Sequence, residues 1–348
     1  MDRPARPTIG DVAERAGVST ATVSRVVAGI GRSRPDTSAA VIAAVEALGY
    51  RPSGVARSLR MQRTRTLGLI VSDIQNPFFP ELVRAADDAA RAIDYSILLG
   101  SAAFDEVRAV HYLNLMVDRR VDGIIVASSQ VSNLSWQWLI ASPVPVIVVN
   151  AEPPDHGVPA IASDNEAGSR LVVEHLVALG HRRIGYIRGP ESFTAARPRF
   201  EGFRKGCEDA GLGPDDTPIV EGEGQVDSGE RAVGLMLGQA PWVTAIACYN
   251  DLTAIGALRM LRGAGRRVPE DVSVVGFDDI AAASWVVPAL TTICQPKAEM
   301  GRLAVEYLVR VLEGGASEPV PEILRLPLSL RVRESTGPAP ASPWDPDR

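Results

Sequence analysis

From Thr66 onward the chain alternates short apolar runs with stretches whose apolar residues recur every three or four positions. The runs Thr66–Val71, Tyr95–Leu99, Gly123–Ala127, Val146–Val149, Ile184–Ile187, Ala245–Cys248 and Val272–Gly276 lack polar alternation, which predicts strands buried on both faces. Between them Glu81–Ile93, Glu106–Arg119, Ala167–Leu179, Phe200–Ala210, Leu252–Leu261 and Glu299–Leu312 read as helices. Strands separated by helices predict parallel sheets, an α/β fold, and the ~270 residues available hold two such sheets. In folds of this kind ligand residues are sought in the loops after the strands. The first 62 residues differ, reading as short helices only, with turn signals at Gly17, Gly29–Gly31 and Gly49–Pro52.

Within that first stretch, Thr8 to Ala28 has the layout of a helix-turn-helix. Ile9, Val12, Ala13 and Ala16 fall at helical spacing, Gly17 suits a left-handed turn, and Ser19 is placed to cap a second helix. On the second helix Val23, Val26 and Val27 face inward. Thr20, Ala21, Ser24, Arg25 and Ala28 form the opposite face, free to enter a DNA major groove. Arg25 has the donors either for the O6 and N7 of a guanine or for a phosphate, and the methyl groups of Thr20 and Ala21 suit thymine.

Charge supports that division. Residues 1–65 carry eleven arginines against five acids, a net +6, so the total of −6 leaves −12 on the remainder. A basic head on an acidic body is expected where only the head meets a polyanion. Hydrophobic residues at 46% and charged residues at 22% describe a globular protein, and no apolar run approaches the ~20 residues of a membrane span. The first ten residues lack the apolar stretch of a secretory signal, so a cytoplasmic location is expected. Cys207, Cys248 and Cys294, odd in number and set among apolar residues, read as buried reduced thiols. The four histidines show no zinc spacing, and no nucleophile elbow or Walker loop occurs, so neither an enzyme nor a bound cofactor or metal is expected. A transport receptor sharing the body fold would need an export signal and would not carry residues 1–62. The Pro-rich tail 338–348 reads as disordered, without the leucine heptads of a coiled coil.

DVAERAGVSTATVSRVV, YRPSGVARSLR, SDIQNPFF, HLVALGHRRIGYI, YNDLTAIGAL, VPEDVSVVGFDD and PALTTICQP follow one another in an order that resembles the lactose-repressor (LacI/GalR) family almost from end to end. The resemblance implies a helix-turn-helix with a hinge helix (about 54–61) in residues 1–62. An effector-binding and dimerisation domain of the two-lobed periplasmic-binding-protein type I architecture would follow in 63–337. Its first lobe would cover about 66–163 and 294–322, and its second about 164–293 and 323–337, with three crossovers between them. The implied function is that of a transcriptional regulator, most commonly a repressor, which binds a pseudo-palindromic operator as a homodimer under control of a small-molecule effector.

By that resemblance the DNA contacts fall on Thr8, Ser19, Thr20, Ala21, Thr22, Ser24 and Arg25 in the head, and on Ser53, Val55, Ala56, Arg57, Leu59 and Arg60 in the hinge. Leu59 would wedge between base pairs at the operator centre, Ala56 would allow close approach, and the unstacking cost of a few kcal/mol would be recovered on the kinked duplex. An eight-residue helix is marginal alone in water, so the hinge is expected to form only when dimer and DNA hold it. Ala28 departs from the family's usual Asn.

The same resemblance places the effector against Asp73, Phe78, Phe79, Asn150, Asp164, Arg199, Asn250 and Asp278. For Phe78 and Phe79 core packing is the rival role, and for Asp164 a helix cap. Arg, Asn and Asp converging on a cleft suit a sugar or similar polyol, because each hydroxyl both donates and accepts. Gly224 stands where the family often has a stacking aromatic, and Phe193 where purine-responsive members have a polar residue, so a purine effector is disfavoured. Effector identity, and whether it releases or promotes DNA binding, stay open at this level.

Overall fold

A computed structural model describes residues 7–27, 34–50, 63–128, 133–151, 158–314 and 323–341, which form two units, 1–65 and 66–348. The first holds α1 (Ile9–Ala16), α2 (Thr20–Val27) and α3 (Pro35–Leu48). Val12, Val23 and Val41 are fully buried where the three meet, with Ala13 and Ala44 beside them. Thr8 and Asp11 cap α1 reciprocally, and Gly17 ends it with φ 64°, a backbone region open to glycine at little cost. The expected hinge 54–61, with Ser53, Val55, Ala56, Arg57, Leu59 and Arg60, lies outside the described residues, as does Ala28.

The second unit contains two parallel sheets. The first is built from β1 (Thr66–Val71), β2 (Ser96–Ser101), β3 (Gly123–Ala127), β4 (Val146–Val149), β5 (Ala160–Ser163) and β11 (Ile323–Leu326), in the order β11-β5-β4-β3-β1-β2. The second uses β6 (Ile184–Arg188), β7 (Ile219–Glu221), β8 (Ala245–Cys248), β9 (Ser273–Asp278), β10 (Thr291–Cys294) and β12 (Ser329–Arg331), in the order β12-β10-β9-β8-β6-β7. Among the described residues only β12 runs antiparallel to its neighbour. The helices are α4 (Phe78–Ala92), α5 (Glu106–Asp118), α6 (Asn133–Ile140), α7 (Asn165–Ala178), α8 (Ala196–Asp209), α9 (Val226–Gln239), α10 (Asp251–Gly263) and α11 (Lys297–Leu312). Their apolar faces complete cores in which Leu67, Leu69, Leu82, Ile125, Val274 and Met300 are buried. Gly301 lets α11 press on α4, since a Cβ there would collide with the Leu82 carbonyl. Among the described residues no helix is long and apolar enough to cross a membrane.

Five strands are not announced by the pattern: β5, β7, β10, β11 and β12. Each has three or four residues and, unlike the equally short but wholly apolar β4 and β8, mixes polar with apolar positions. Helix α9 is masked by Gly229 and Gly234, poor helix formers.

Two expected boundaries need correction. The second lobe was to resume at 323, but Ile323–Leu326 pairs with Ala160–Ser163 in the first sheet. The chain therefore returns to the second lobe only after Leu326, to reach β12. The tail was expected to be disordered from 338, yet the Ala339 amide donates to Leu179 O at 2.9 Å, which lays Pro338–Ala341 on the second lobe. Its remaining residues, 342–348, lie outside the described ones.

Candidate functional site

In the head, α2 presents Thr20, Ala21 and Arg25 fully to the outside, with Thr22 and Ser24 half-buried at the margin. Val23 enters the core and Val26 and Val27, one turn further along the same face, pack against it, which leaves Ala21 and Arg25 on the outer side. Two hydroxyls assigned to DNA already have local work. Thr8 Oγ1 accepts from the Asp11 amide, and Ser19 Oγ accepts from the Thr22 amide at 3.2 Å, so both act as helix caps. A cap leaves the remaining amides of the first turn pointing outward, where a phosphate is favoured.

In the body, a narrow cleft open to solvent lies where the carboxyl ends of the two sheets approach each other. Six of the eight residues assigned to the effector line it: Phe78, Phe79, Asn150, Arg199, Asn250 and Asp278. Asp73 and Asp164 do not. Asp73 Oδ1 is taken by the Gln75 amide in a local turn, and Asp164 caps α7 through the Ala167 amide at 3.1 Å. Its neighbour Asn165 bears on the site only through Arg199, whose Nε donates to the Asn165 Oδ1. Phe78 and Phe79 combine both roles open to them, being 2% and 1% exposed members of the first-lobe core and wall residues as well.

Arg199 organises the second-lobe wall. Buried on α8, it donates from Nε to Asn165 Oδ1 at 2.9 Å, from Nη1 to Tyr249 O at 2.7 Å and from Nη2 to Asp278 Oδ1 at 3.3 Å. Its guanidinium carbon lies 3.7 Å from the centre of the Phe277 ring and 4.9 Å from that of Tyr249. The planar fork is thus held by bonds in its plane and rings near its face. Asp278 Oδ1 also accepts from Gln295 Nε2 at 2.6 Å, and Gln295 Oε1 in turn accepts from Ser163 Oγ. Burial pushes the Asp278 carboxyl above its ordinary pKa, while Arg199, Gln295 and Lys297 pull it down. With Oδ1 engaged twice, Oδ2 is the oxygen left for a ligand.

Asn250 is largely consumed by the fold. Its Oδ1 accepts from the amide and hydroxyl of Thr253, capping α10, and its Nδ2 donates to Gly224 O. Asn150 is the opposite case. It ends β4 with φ 63°, is 8% exposed, and its Oδ1 is buried with no hydrogen-bond partner. A buried acceptor without a donor is costly, and a ligand hydroxyl or N–H would satisfy it.

Sequence reasoning missed several neighbours. Asn76, Phe104, Gln225 and Tyr249 line the cavity, and Lys297, 2% exposed, donates to Asp278 O and Asp279 O at 2.7 and 2.9 Å. Tyr249 directly follows the legible β8, so the rule of searching strand ends reaches it, whereas Gln295 follows β10, which the pattern does not show. Phe104 carries no such signal. It sits in the loop after β2 with φ 57°, next to Ala103 at φ 51°. A left-handed conformation costs a non-glycine residue roughly 1–2 kcal/mol. Gly224, at φ 75°, leaves room that the Phe193 ring borders at 3.5 Å.

Comparison with known proteins fits this geometry. The profile described as "Bacterial regulatory proteins, lacI family" matches residues 8–53, and that of a "Periplasmic binding protein-like domain" matches 173–336. The HTH-type transcriptional repressor PurR of Haemophilus influenzae (strain PittEE) is 37% identical over 303 residues, 87% of this chain and 90% of the relative. Catabolite control protein A of Priestia megaterium is 35% identical, covering 94% and 99%, and the ribose operon repressor of Halalkalibacterium halodurans is 34% identical, covering 94% and 97%. Among solved structures, the lac repressor dimer bound to operator and the anti-inducer ONPF superposes with a TM-score of 0.86 at 31% identity, covering 96% of this chain and all of that one. The transcriptional regulator CelR–cellobiose complex gives 0.72 at 35% identity, covering 95% and 100%. A helix-turn-helix in the head, a polar cleft between two lobes and relatives matched over most of their length lead to one conclusion: this chain belongs to the lacI family of bacterial regulatory proteins and is a DNA-binding transcriptional regulator with a small-molecule effector.

Proposed function

We propose that the chain acts in the cytoplasm as a homodimeric repressor that binds a pseudo-palindromic operator and responds to a sugar or related metabolite in the interlobe cleft. Thr20, Ala21, Ser24 and Arg25 read base edges from α2, while Thr8, Ser19 and Thr22 position the head on phosphates through their helix N-termini. Ser53, Val55, Ala56, Arg57, Leu59 and Arg60 serve as the minor-groove hinge, with Leu59 as the wedge. The effector meets Asn150, Arg199, Asn250 and Asp278, with Phe78 and Phe79 as apolar wall. Asp73 serves a local turn and Asp164 caps α7.

The observation that carries this reading is the combination of an outward Arg25 face with a buried, polar cleft in a chain whose relatives include a ribose operon repressor. Full-length protein presented with a random-sequence DNA pool should enrich two inverted half-sites, with affinity falling steeply as salt rises. Leu59→Ala should weaken the enriched site more than random DNA. Enrichment of a single half-site, or equal loss on both DNAs, would count against the dimer and the wedge respectively.

A further inference from the structure

The cleft has an aromatic wall of its own. Phe104, in the first lobe after β2, and Phe193, in the second lobe after β6, stack with ring centres 5.2 Å apart and planes 15° apart. Both rings are half-buried, whereas Asn150, Arg199 and Asp278 are buried, so the pair lies outside the polar floor. Tyr249 extends the wall, 6.2 Å from Phe193. Phe104 is brought there at a cost, since its φ of 57° belongs to the left-handed region that glycine favours. Its amide is tied to Ser72 O, and the Phe193 amide to Pro190 O, so each ring stands on an anchored turn. A bulky residue kept in a strained conformation, with its side chain laid across a binding cleft, points to a role in that cleft.

Charge narrows what the wall faces. Among the described lining residues only Arg199 and Asp278 are charged, and they are paired with each other. An anionic effector would enter without a free cation to meet it, and desolvating its charge there is unfavourable. An uncharged ring carries no such penalty, and its flat face packs well on aromatic rings.

We propose that Phe104 and Phe193 form a specificity-determining clasp, tying the two lobes together across the cleft and selecting an uncharged, ring-bearing effector whose donor group meets Asn150 Oδ1. The selection rests on the reading of the cleft as the effector site; the clasp itself does not.

Amide hydrogen exchange on the full-length protein tests the clasp without any ligand. Phe193→Ala should speed exchange of residues 102–105 in the other lobe by about threefold or more, and Phe104→Gly should do the same for residues 193–196. Phe193→Tyr, which keeps the ring, should leave residues 102–105 as in the parent. Exchange that changes only in the lobe carrying the substitution overturns the clasp. Thermal shift with cellobiose, nitrophenyl β-glucoside and glucose phosphate tests the selection. The two uncharged probes should raise the melting temperature of the parent, and less so in Phe104→Gly and Phe193→Ala. A glucose phosphate shift equal to theirs, or undiminished shifts in the variants, overturns the selection. If no sugar shifts the parent while exchange stays coupled across the lobes, the sugar reading of the cleft fails and the clasp stands.

Discussion

The DNA-reading head and the effector cleft recognise their partners by opposite arrangements of polar groups. On α2 the working side chains are outside, and Arg25 is exposed. In the cleft Arg199 is 3% exposed and every nitrogen of its guanidinium already donates within the protein. The difference follows from what each region meets. A phosphate backbone is charged and hydrated, so a solvated cation can approach it and displace its counterions. A small molecule in a cleft must give up most of its water, and only groups held in advance, with few bonds still unmade, can replace what it loses. The head gains affinity from what it leaves free, the cleft specificity from what it has already tied down.

Substitutions in the two cores should separate the regions most sharply. Val23→Asp places a charge at a fully buried position of the three-helix head, which has little other core to hold it together. Operator affinity should fall by more than about a hundredfold, a change in binding free energy near 3 kcal/mol, while the melting transition of the body stays in place. A body transition that moves with it would show that the two units do not fold separately. Next in size is Arg199→Ala, which leaves the buried Asp278 carboxylate without its partner. Denaturant unfolding of the body should lose about 3–5 kcal/mol, and an Arg199→Met, Asp278→Leu double variant should recover most of it. Failure of that recovery would mean that the pair contributes more than mutual neutralisation.

Arg25→Ala should cost about 1–3 kcal/mol of operator binding and relax preference at one base position, with no effect on body stability. A uniform loss on all sequences would assign Arg25 to a phosphate instead. The smallest effect concerns acid. His175 and His181 lie in the second lobe, hydrogen-bonded to Thr336 and Gly337, and burial lowers both pKa values from 6.5. The folded state thus takes up protons less readily than the unfolded one. Their contribution is complete above about pH 6.5 and declines as pH falls below that value toward the lowered folded pKa values. All four histidines lie beyond residue 65, so unfolding midpoints of the body should drop in this window while those of the head do not. His181→Gln should flatten the body's dependence, and an unchanged slope would exclude His181 as its source.

The legible parts were those in which neighbours along the chain decide the outcome. The helix cap at Ser19, the turn at Gly17 and the inward register of Val12 and Val23 each depend on residues within about one helical turn, so their order in the chain was enough to place them. The buried strands with unbroken apolar runs were legible for the same reason. The cleft was legible only in part, because it joins positions from Asn76 to Gln295 and a residue's type does not reveal which of its bonds the fold has used. Asp164 and Asn165 are adjacent, yet one turns to cap α7 while the other holds Arg199. Asn250 and Asn150 are the same residue at equivalent strand ends, yet one is nearly saturated and the other has an orphaned oxygen. Tertiary structure also decided that Ile323–Leu326 belongs to the first sheet and that Phe104 reaches Phe193. By itself the sequence determined two kinds of region and the chemistry available to each. Which polar atoms remain free for a ligand was decided only when burial removed water and left each atom to the partners the fold brought within reach.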